Sequence, residues 1–388
     1  MKVNNLLRHP GVLFGGFLAL AVLAIMNSAY SYVLGSIRGE LLLSYTESGA
    51  LMSAYFTGYM VGQIPWGLLA DKYGSRRVMA VSVLGVSVAS VLFGFGTDFM
   101  SLAVTRFLAG LLGAGVFVPS VRLIAGWYEA RERGTALGFI NVGGSIGLIV
   151  VTWVSPILAL SYGWRLSIII QGMTGIASSM LIWFFLSDGV KGRGISGSAV
   201  VSALRQRSFW ILAVAQFIRL GSYYTFLAWL PLLLREDYGL DVLLVGTTMS
   251  LFNIAGMVSN PAGGLLTDVV GEKRVLMGCF LLLAVNVYTF TILPGGTLIL
   301  MASFVLGWLI NFIRSPVFTI IPRLFGAETA GSLSGLHNTC ASLGALALPL
   351  LLGVVKDATS SYNIGWLTLS SLMIIGTALI AVIKFPSS

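Results

Sequence analysis

The feature that most constrains this chain is a series of apolar runs, each about 20 residues long, that recurs along its whole length. A helix of about 20 residues rises ~30 Å, which is the thickness of the hydrocarbon core of a bilayer. Hydrophobic residues make up 57% of the chain and charged residues only 10%, unlike a water-soluble domain. The sequence therefore predicts an all-α polytopic membrane protein with twelve spans, near residues 12–35, 46–70, 77–96, 100–127, 134–158, 163–186, 209–234, 243–268, 274–293, 297–323, 329–354 and 363–384.

The longest polar break predicts how the chain is divided. Residues 187–208, "SDGVKGRGISGSAVVSALRQRS", are rich in Gly and Ser and are basic, which is typical of a linker. We therefore expect an N-terminal six-helix bundle at 1–186, a cytoplasmic linker at 187–208 and a C-terminal six-helix bundle at 209–388. With both termini inside, 15 Lys and Arg residues face the cytoplasm and 4 face the opposite side. This bias predicts a multi-pass protein of the cytoplasmic membrane with both termini cytoplasmic.

Two similar stretches reveal an internal repeat. "GLLADKYGSRRV" occupies Gly67–Val78 and "GLLTDVVGEKRV" occupies Gly264–Val275, an offset of 197 residues. The same offset relates further pairs: Gly110 and Gly307, Pro119 and Pro316, and Gly147 and Gly344. Because six spans separate the copies, and six is an even number, both copies have the same orientation. The pattern predicts a parallel duplication, which is an arrangement used by secondary transporters.

The first of these stretches resembles a known signature. "GLLADKYGSRRV" is similar to the loop between the second and third helices of the major facilitator superfamily, with Lys72 and Ser75 departing from its consensus. "LAVTRFLAG", at 102–110, resembles the pattern around an Arg in the fourth helix of that family. The resemblance implies the fold of that family, secondary active transport by alternating access, and a central cavity lined by spans 1, 4, 7 and 10.

The signature loop also supplies the predicted gating residues. A loop this short must turn sharply, which Gly74 permits. A carboxylate at a helix end can pair with basic groups or with the N-terminus of a neighbouring helix, so Asp71 is predicted to latch this face in one state. The alternative is that these charges only hold the loop inside. The gating set consists of Asp71, Gly74 and Arg77 in the first copy, and Asp268 and Arg274 in the second.

Four arginines lie within apolar spans: Arg106, Arg122, Arg219 and Arg314. A charge at the centre of a span costs about 2.5–3.5 kcal/mol on insertion scales, so each Arg requires a partner or a watery cavity. All 14 acidic residues map to loops or span ends. The arginines also break the repeat, whereas the glycines and prolines obey it. We therefore expect a positive cavity whose missing partner is the substrate, a small organic or inorganic anion.

The candidate substrate ligands differ in how deep they lie within the predicted spans. Arg219 lies about eleven residues into its span, roughly 16 Å from the end. Guanidinium groups bind carboxylate, nitrate-like or phosphate oxygens in a bidentate way. The segment "RLGSYYTFLAWLPLLL", beginning at Arg219, resembles a "W-x-P-x-x-L" region in the anion-handling branches of the family. The predicted substrate-binding set is Arg219, Arg314, Tyr223, Gln216, Asn311, Tyr30, Arg122 and Arg106.

Three members of this set have alternative interpretations. Arg122 lies near a span end and could extend its side chain to the interface. Arg106 matches the fourth-helix Arg of the family, whose role is often structural. Tyr30 could belong to the aromatic belt at the membrane interface.

His337 is the intramembrane group that titrates near neutrality, and it is a candidate for proton coupling. A hydrogen bond from its ring to the backbone or to Asn338 is the alternative. The co-transported species is accordingly a proton, a counter-anion or neither.

Other classes of function find little support in the residues. The two cysteines lie in apolar runs, and the chain shows no metal cluster and no nucleophile–base pair, so we expect no metal, no cofactor and no enzyme activity. Membrane lipid is an expected partner, nucleic acid is not, and we expect a monomer. The alternative prediction is that the protein is a proton-coupled multidrug or small-molecule exporter of the same fold. Such a protein typically needs a cavity carboxylate and a Gly-Pro pair in span 5, and the sequence has neither.

Overall fold

The computed structural model describes residues 8–189, 204–294, 296–325 and 330–383. The described residues form helices and no strand. Most of the predicted linker, 187–208, lies outside them. The helices are α1 (Pro10–Leu41), α2 (Tyr45–Tyr73), α3 (Ser75–Gly94), α4 (Phe99–Trp127), α5 (Ala130–Phe185), α6 (Arg207–Glu236), α7 (Val242–Val270), α8 (Glu272–Thr289), α9 (Thr297–Phe312), α10 (Arg314–Phe325), α11 (Ala330–Thr359) and α12 (Tyr362–Val382).

Nine stretches of the described helices are long and apolar enough to span a membrane. One of them is α5, whose 56 residues cover two predicted spans. At Gly163 the backbone leaves helical geometry with φ 81°, a value that glycine adopts without strain, and the break separates the two predicted spans. The structure is thus an all-α, multi-pass membrane fold in which α5 contributes two crossings.

The tenth predicted span, 297–323, is broken into α9 and α10 at Ile313. Pro316 explains the break, because proline has no N–H to donate to the carbonyl four residues earlier, that of Phe312. Arg314 consequently becomes the first residue of α10.

The chain divides into two compact units, and each contains helix pairs in close contact. The first unit comprises Met1–Leu43 and Ala50–Arg193, and the second comprises Ser44–Gly49 and Gly194–Ser388. In the first, α5 packs against α1 and α3, and α3 also packs against α4. In the second, α6 packs against α11, α7 against α9, and α8 against α12.

The internal repeat reappears in how the helices of each unit cross. A Cβ placed on Gly110 would clash with the carbonyl oxygen of Tyr55, and one placed on Gly307 would clash with that of Phe252. Both members of each contact are related by the 197-residue offset. Only glycine allows helices to approach this closely. The duplication read from the sequence is therefore present in the packing of the helices.

The turn glycines repeat as well. Gly74 precedes α3 with φ 89°, and Gly271 precedes α8 with φ 90°. These values lie where residues with side chains are strained. The sharp turn predicted at Gly74 is confirmed.

The start of α2 belongs to the second unit. The carboxylate oxygens of Asp357 accept hydrogen bonds from the backbone N–H groups of Tyr45 and Thr46, at 3.0 and 2.6 Å. These are among the first N–H groups of a helix, which have no partner within the helix itself. Asp357 thereby caps α2. Its two hydrogen bonds connect the start of α2 to the end of α11, in agreement with the assignment of Ser44–Gly49 to the second unit.

Candidate functional site

Arg219 lies in the middle of α6, with 6% of its surface exposed. Its Nε donates a 2.6 Å hydrogen bond to Oε1 of Gln216, one helical turn earlier. No acceptor for its four other N–H groups is found among the described residues. One edge of the guanidinium is therefore held by the protein, and the other edge is available.

Arg314 is the electrostatic neighbour of Arg219 in the second unit. The two charges are close enough to repel each other, and the phenols of Tyr223 and Tyr224 interact with both. No carboxylate contributes to the environment of Arg219 among the described residues. Arg314 also begins α10, and a helix N-terminus carries a partial positive charge. Arg219 and Arg314 thus lie near each other in this unit, and no carboxylate among the described residues contributes to the environment of Arg219.

Gln216, Tyr223 and Asn311 occupy different positions around this pair. Gln216 orients Arg219 directly, and Tyr223 interacts electrostatically with it. The amide of Asn311 donates back to the carbonyl of Gly307 at 3.0 Å, and it lies against Gly256 of α7. This contact places Asn311 at a helix crossing.

Arg106 lies in a different environment, in the first unit. Its guanidinium lies 4.2 Å from the ring centroid of Tyr30 and 4.7 Å from that of Tyr55. Its Nη1 donates to the carbonyl of Asn27 at 3.2 Å, and its Nε donates to that of Leu51 at 3.4 Å. The structure thus brings Tyr30 to Arg106 within the first unit. Aromatic faces and backbone carbonyls stabilise a buried cation without a carboxylate.

Arg122 forms an ion pair with Asp71, at the cytoplasmic end of α2 in the predicted topology. The expectation that no acid accompanies the span arginines is wrong for Arg122, because α4 brings it within reach of this carboxylate. The prediction that Asp71 pairs with a basic group thereby acquires a named partner. Arg77 is exposed and makes no ion pair among the described residues.

The second copy of the signature does not reproduce this pair. Asp268 and Arg274 are both exposed, and neither makes an ion pair within the described part of the chain. The repeat position of Arg122 is Thr319, which explains why Asp268 has no matching partner.

His337 lies on α11, and its side chain is fully buried. Both ring nitrogens lack a hydrogen-bond partner among the described residues, so the expected bond to the backbone or to Asn338 is not made. The ring packs edge to face on Phe209, with centroids 4.6 Å apart.

A cluster that the sequence did not reveal lies at the end of α6. Glu236 accepts 2.8 Å hydrogen bonds from the hydroxyls of both Tyr45 and Tyr362. The Nζ of Lys356 lies 3.8 Å from the ring centroid of Tyr362 and 3.9 Å from Oδ1 of Asp237. These residues are separated by up to 317 positions in sequence, and they follow no motif, so no sequence signal links them.

The pKa of Asp237 is raised above its ordinary value in this cluster. Partial burial is the main cause, because it disfavours the charged carboxylate. The neighbouring charge of Glu236 adds to the rise, and that of Lys356 opposes it.

Known proteins resemble the chain over most of its length. A probable sulfoacetate transporter of Cupriavidus necator is 26% identical over 370 residues, covering 88% of this chain and 85% of the relative. A probable galactarate/D-glucarate transporter of Bacillus subtilis is 25% identical, covering 91% and 86%. Among solved structures, a bacterial homologue of the human lysosomal transporter Spinster superimposes with a TM-score of 0.83 at 16% identity, covering 96% of each chain.

A family model accounts for these likenesses. The model of the Major Facilitator Superfamily matches residues 13–349, which include the signature loop, most of both predicted bundles and all four span arginines. The superfamily consists of membrane transporters and not of enzymes. The resemblance noted in the sequence and the fold of the helices agree with this match. The chain belongs to the Major Facilitator Superfamily.

Proposed function

We propose that the protein is a secondary active transporter of a small organic or inorganic anion, with Arg219 and Arg314 as its main substrate ligands. The observation that carries the proposal is that these two cations lie near each other without a carboxylate among the described residues. A buried charge without a partner is expensive in a membrane. A bound anion supplies the missing charge, so the site should bind anions in preference to neutral or cationic solutes.

The geometry of Arg219 supports a specific mode of binding. Gln216 occupies Nε, which leaves the terminal N–H groups for two oxygens of one substrate group. Planar or tetrahedral oxyanions, such as carboxylate and sulfonate, match this edge. The phenols of Tyr223 and Tyr224 lie near both guanidinium groups and could donate to the same anion.

The relatives are consistent with this substrate class. Proteins similar over most of their length are described as transporters of sulfoacetate and of galactarate or D-glucarate. At 25–26% identity they support an anion as the substrate class, without naming the anion carried here.

We assign different roles to the other predicted ligands. Arg106 and Tyr30 form a packing cluster that joins α1, α2 and α4, because the guanidinium is already bonded to backbone carbonyls of α1 and α2. Asn311 packs at a helix crossing. Arg122 acts with Asp71 as a latch that favours one state of the alternating-access cycle.

The Lys and Arg bias supports a location in the cytoplasmic membrane, with both termini inside. The substrate site is then exposed to each side in turn. A proton or a counter-anion is the candidate for coupling, and a monomer is the expected unit.

Counterflow in proteoliposomes tests the proposal. Vesicles containing the purified protein are loaded with one unlabelled solute from a panel of carboxylates, sulfonates, inorganic anions, neutral sugars and hydrophobic cations. Accumulation of labelled anion should occur only in vesicles loaded with anions. Preference for a cation or a neutral sugar would refute the assignment, and binding without any counterflow would indicate a receptor.

A further inference from the structure

A cavity of about 350 Å³ lies in the first unit, at the meeting point of the end of α2, the start of α3 and the ends of α4 and α5. Its volume lies in the range of small-ligand sites, roughly 300–1,000 Å³. Four of its twelve lining residues are basic, namely Lys72, Arg76, Arg77 and Arg122, and the lining also includes Trp183 and the acidic Asp188. The cavity is separate from the site around Arg219, which belongs to the second unit.

The charges around the cavity do not balance. Asp188 is already engaged, because its Oδ1 accepts a 2.9 Å hydrogen bond from the backbone N–H of Arg76. Asp71 is engaged by Arg122. Lys72 and Arg77 are exposed and make no ion pair among the described residues. The cavity therefore retains two uncompensated cations.

The internal repeat indicates that only part of this charge belongs to the duplicated scaffold, because Arg76 and Arg77 have the basic counterparts Lys273 and Arg274. Lys72 and Arg122 correspond to Val269 and Thr319, and Ser75 corresponds to the acidic Glu272. The turn itself is duplicated, with a glycine of φ near 90° in both copies. Because the turn repeats without basic counterparts of Lys72 and Arg122, the turn itself does not require these two cations.

The rim of the cavity is apolar and aromatic. Arg76 lies over the ring of Trp183, with its guanidinium 4.6 Å from the centroid, and donates to the carbonyl of the same residue. Tyr73, which lines the cavity, is exposed, and Phe184, which follows Trp183 in the sequence, is 84% exposed. Exposed aromatic residues at the end of a span are typical of the level of the lipid headgroups.

We propose that this cavity binds a phosphate group, and that an anionic phospholipid supplies it. Lys72, Arg77 and Arg122 surround the phosphate, and the acyl chains extend along the exposed aromatic end of α5. Anionic lipids attract basic residues near the membrane surface with about 1 kcal/mol for each Lys or Arg. The inference rests on the proposed cytoplasmic orientation of this face, and not on the identity of the transported anion.

Lipid titration of the detergent-purified full chain tests the proposal, with the thermal midpoint and native mass spectrometry as readouts. Short-chain phosphatidylglycerol should raise the midpoint and remain bound, whereas phosphatidylcholine should do neither. Arg77→Gln should raise the half-saturating lipid concentration about fivefold, and Lys72→Gln with Arg77→Gln about 25-fold. Neither side chain supports the fold through an ion pair to a described residue, so these variants should remain folded.

Arg274→Gln is the matched control. Arg274 occupies the repeat position of Arg77, is equally exposed and carries the same charge. We expect it to leave phosphatidylglycerol affinity unchanged, so an equal loss in both variants would overturn the proposal. Inorganic phosphate and glycerol phosphate form a further arm. Stabilisation by these soluble anions in place of the lipid would overturn the lipid assignment, as would equal binding of the two lipids.

Discussion

Gln216 holds Arg219 by a 2.6 Å hydrogen bond from the guanidinium Nε to the amide Oε1. The two residues are separated by three positions on α6, so one face of a single helix carries both. This bond fixes the plane of the guanidinium and directs its free edge away from Gln216. The orientation of the proposed anion ligand therefore depends on a neutral neighbour.

Gln216→Met should weaken anion binding moderately. Methionine preserves much of the length of the side chain but cannot accept the Nε hydrogen bond, so the guanidinium loses its fixed orientation. We expect the half-saturating anion concentration in a transport assay to rise roughly 2- to 12-fold, with the order of preference among anions retained. Gln171→Met, at a buried glutamine of the first unit, is the control and should leave affinity unchanged. An unchanged affinity in the Gln216 variant would contradict the positioning role.

Arg219 and Arg106 should respond in opposite ways to replacement by glutamine. Arg219→Gln should raise the half-saturating anion concentration about 10- to 150-fold, because a charge-assisted bond is lost, while relief of repulsion from Arg314 preserves stability. Arg219→Lys should recover only part of the affinity, since ammonium lacks the planar fork. Arg106→Gln should instead lower the free energy of unfolding by about 1–3 kcal/mol and spare affinity. Binding isotherms measure the anion affinity, and thermal unfolding measures the stability. A loss of affinity in the Arg106 variant together with a loss of stability in the Arg219 variant would exchange the two roles.

Asp71→Asn should shift the balance between inward- and outward-open states without changing affinity within either state. The Asp71 side chain is 70% exposed, so the pair with Arg122 contributes only about 0.2–1 kcal/mol, and populations should change by at most about fivefold. Cysteine accessibility on both faces measures the change. Arg122→Gln should give the same shift, and Asp268→Asn, at the repeat position without an ion pair, should give none. Unchanged cysteine labelling in both the Asp71 and the Arg122 variants would contradict the assignment of this ion pair as a latch.

His337→Leu should stabilise the protein. Both ring nitrogens are buried without a hydrogen-bond partner among the described residues, and an unsatisfied buried polar group costs about 1–3 kcal/mol, which leucine avoids at similar volume. Thermal unfolding should show the gain, and the pH dependence of anion uptake should persist. His9→Gln, at the other histidine, controls for removal of a titratable group. Loss of the pH dependence in the His337 variant alone would assign proton coupling to this residue.

Asp237→Asn should alter how stability depends on pH. Because burial raises the pKa of Asp237 above its ordinary value of 3.8, the folded state binds the proton more tightly than the unfolded state. The wild type then loses stability as pH rises through the raised value, and the variant does not. Relative to the wild type, the variant should gain less than about 1 kcal/mol above that pH and nothing below the ordinary pKa. Lys356→Gln should enlarge the fall, since it removes the opposing cation, and a fall unaffected by either change would exclude Asp237 as its source.

The sequence alone determined the class of protein, the duplication and the sign of the proposed site. Span lengths follow from the thickness of the bilayer, and a fixed offset is visible in the letters themselves, so Gly74, Gly110 and their repeats could be recognised before any helix was placed. The excess of span arginines over span carboxylates is likewise a property of composition along the chain. These features are local or periodic, so they can be predicted from the order of the residues along the chain.

Only the tertiary structure decided which arginine has which partner. Arg106, Arg122 and Arg219 are alike in the sequence, yet one is stacked between tyrosines, one pairs with Asp71 and one keeps a free edge. The break before Arg314 also became visible only in the structure, as did the absence of hydrogen bonds from the His337 ring to any described residue. The physical reason is that partners on different helices meet through the rotation and depth of those helices, which hydropathy does not encode. A buried charge requires a partner, and only the packing of the helices determines whether the protein itself provides one.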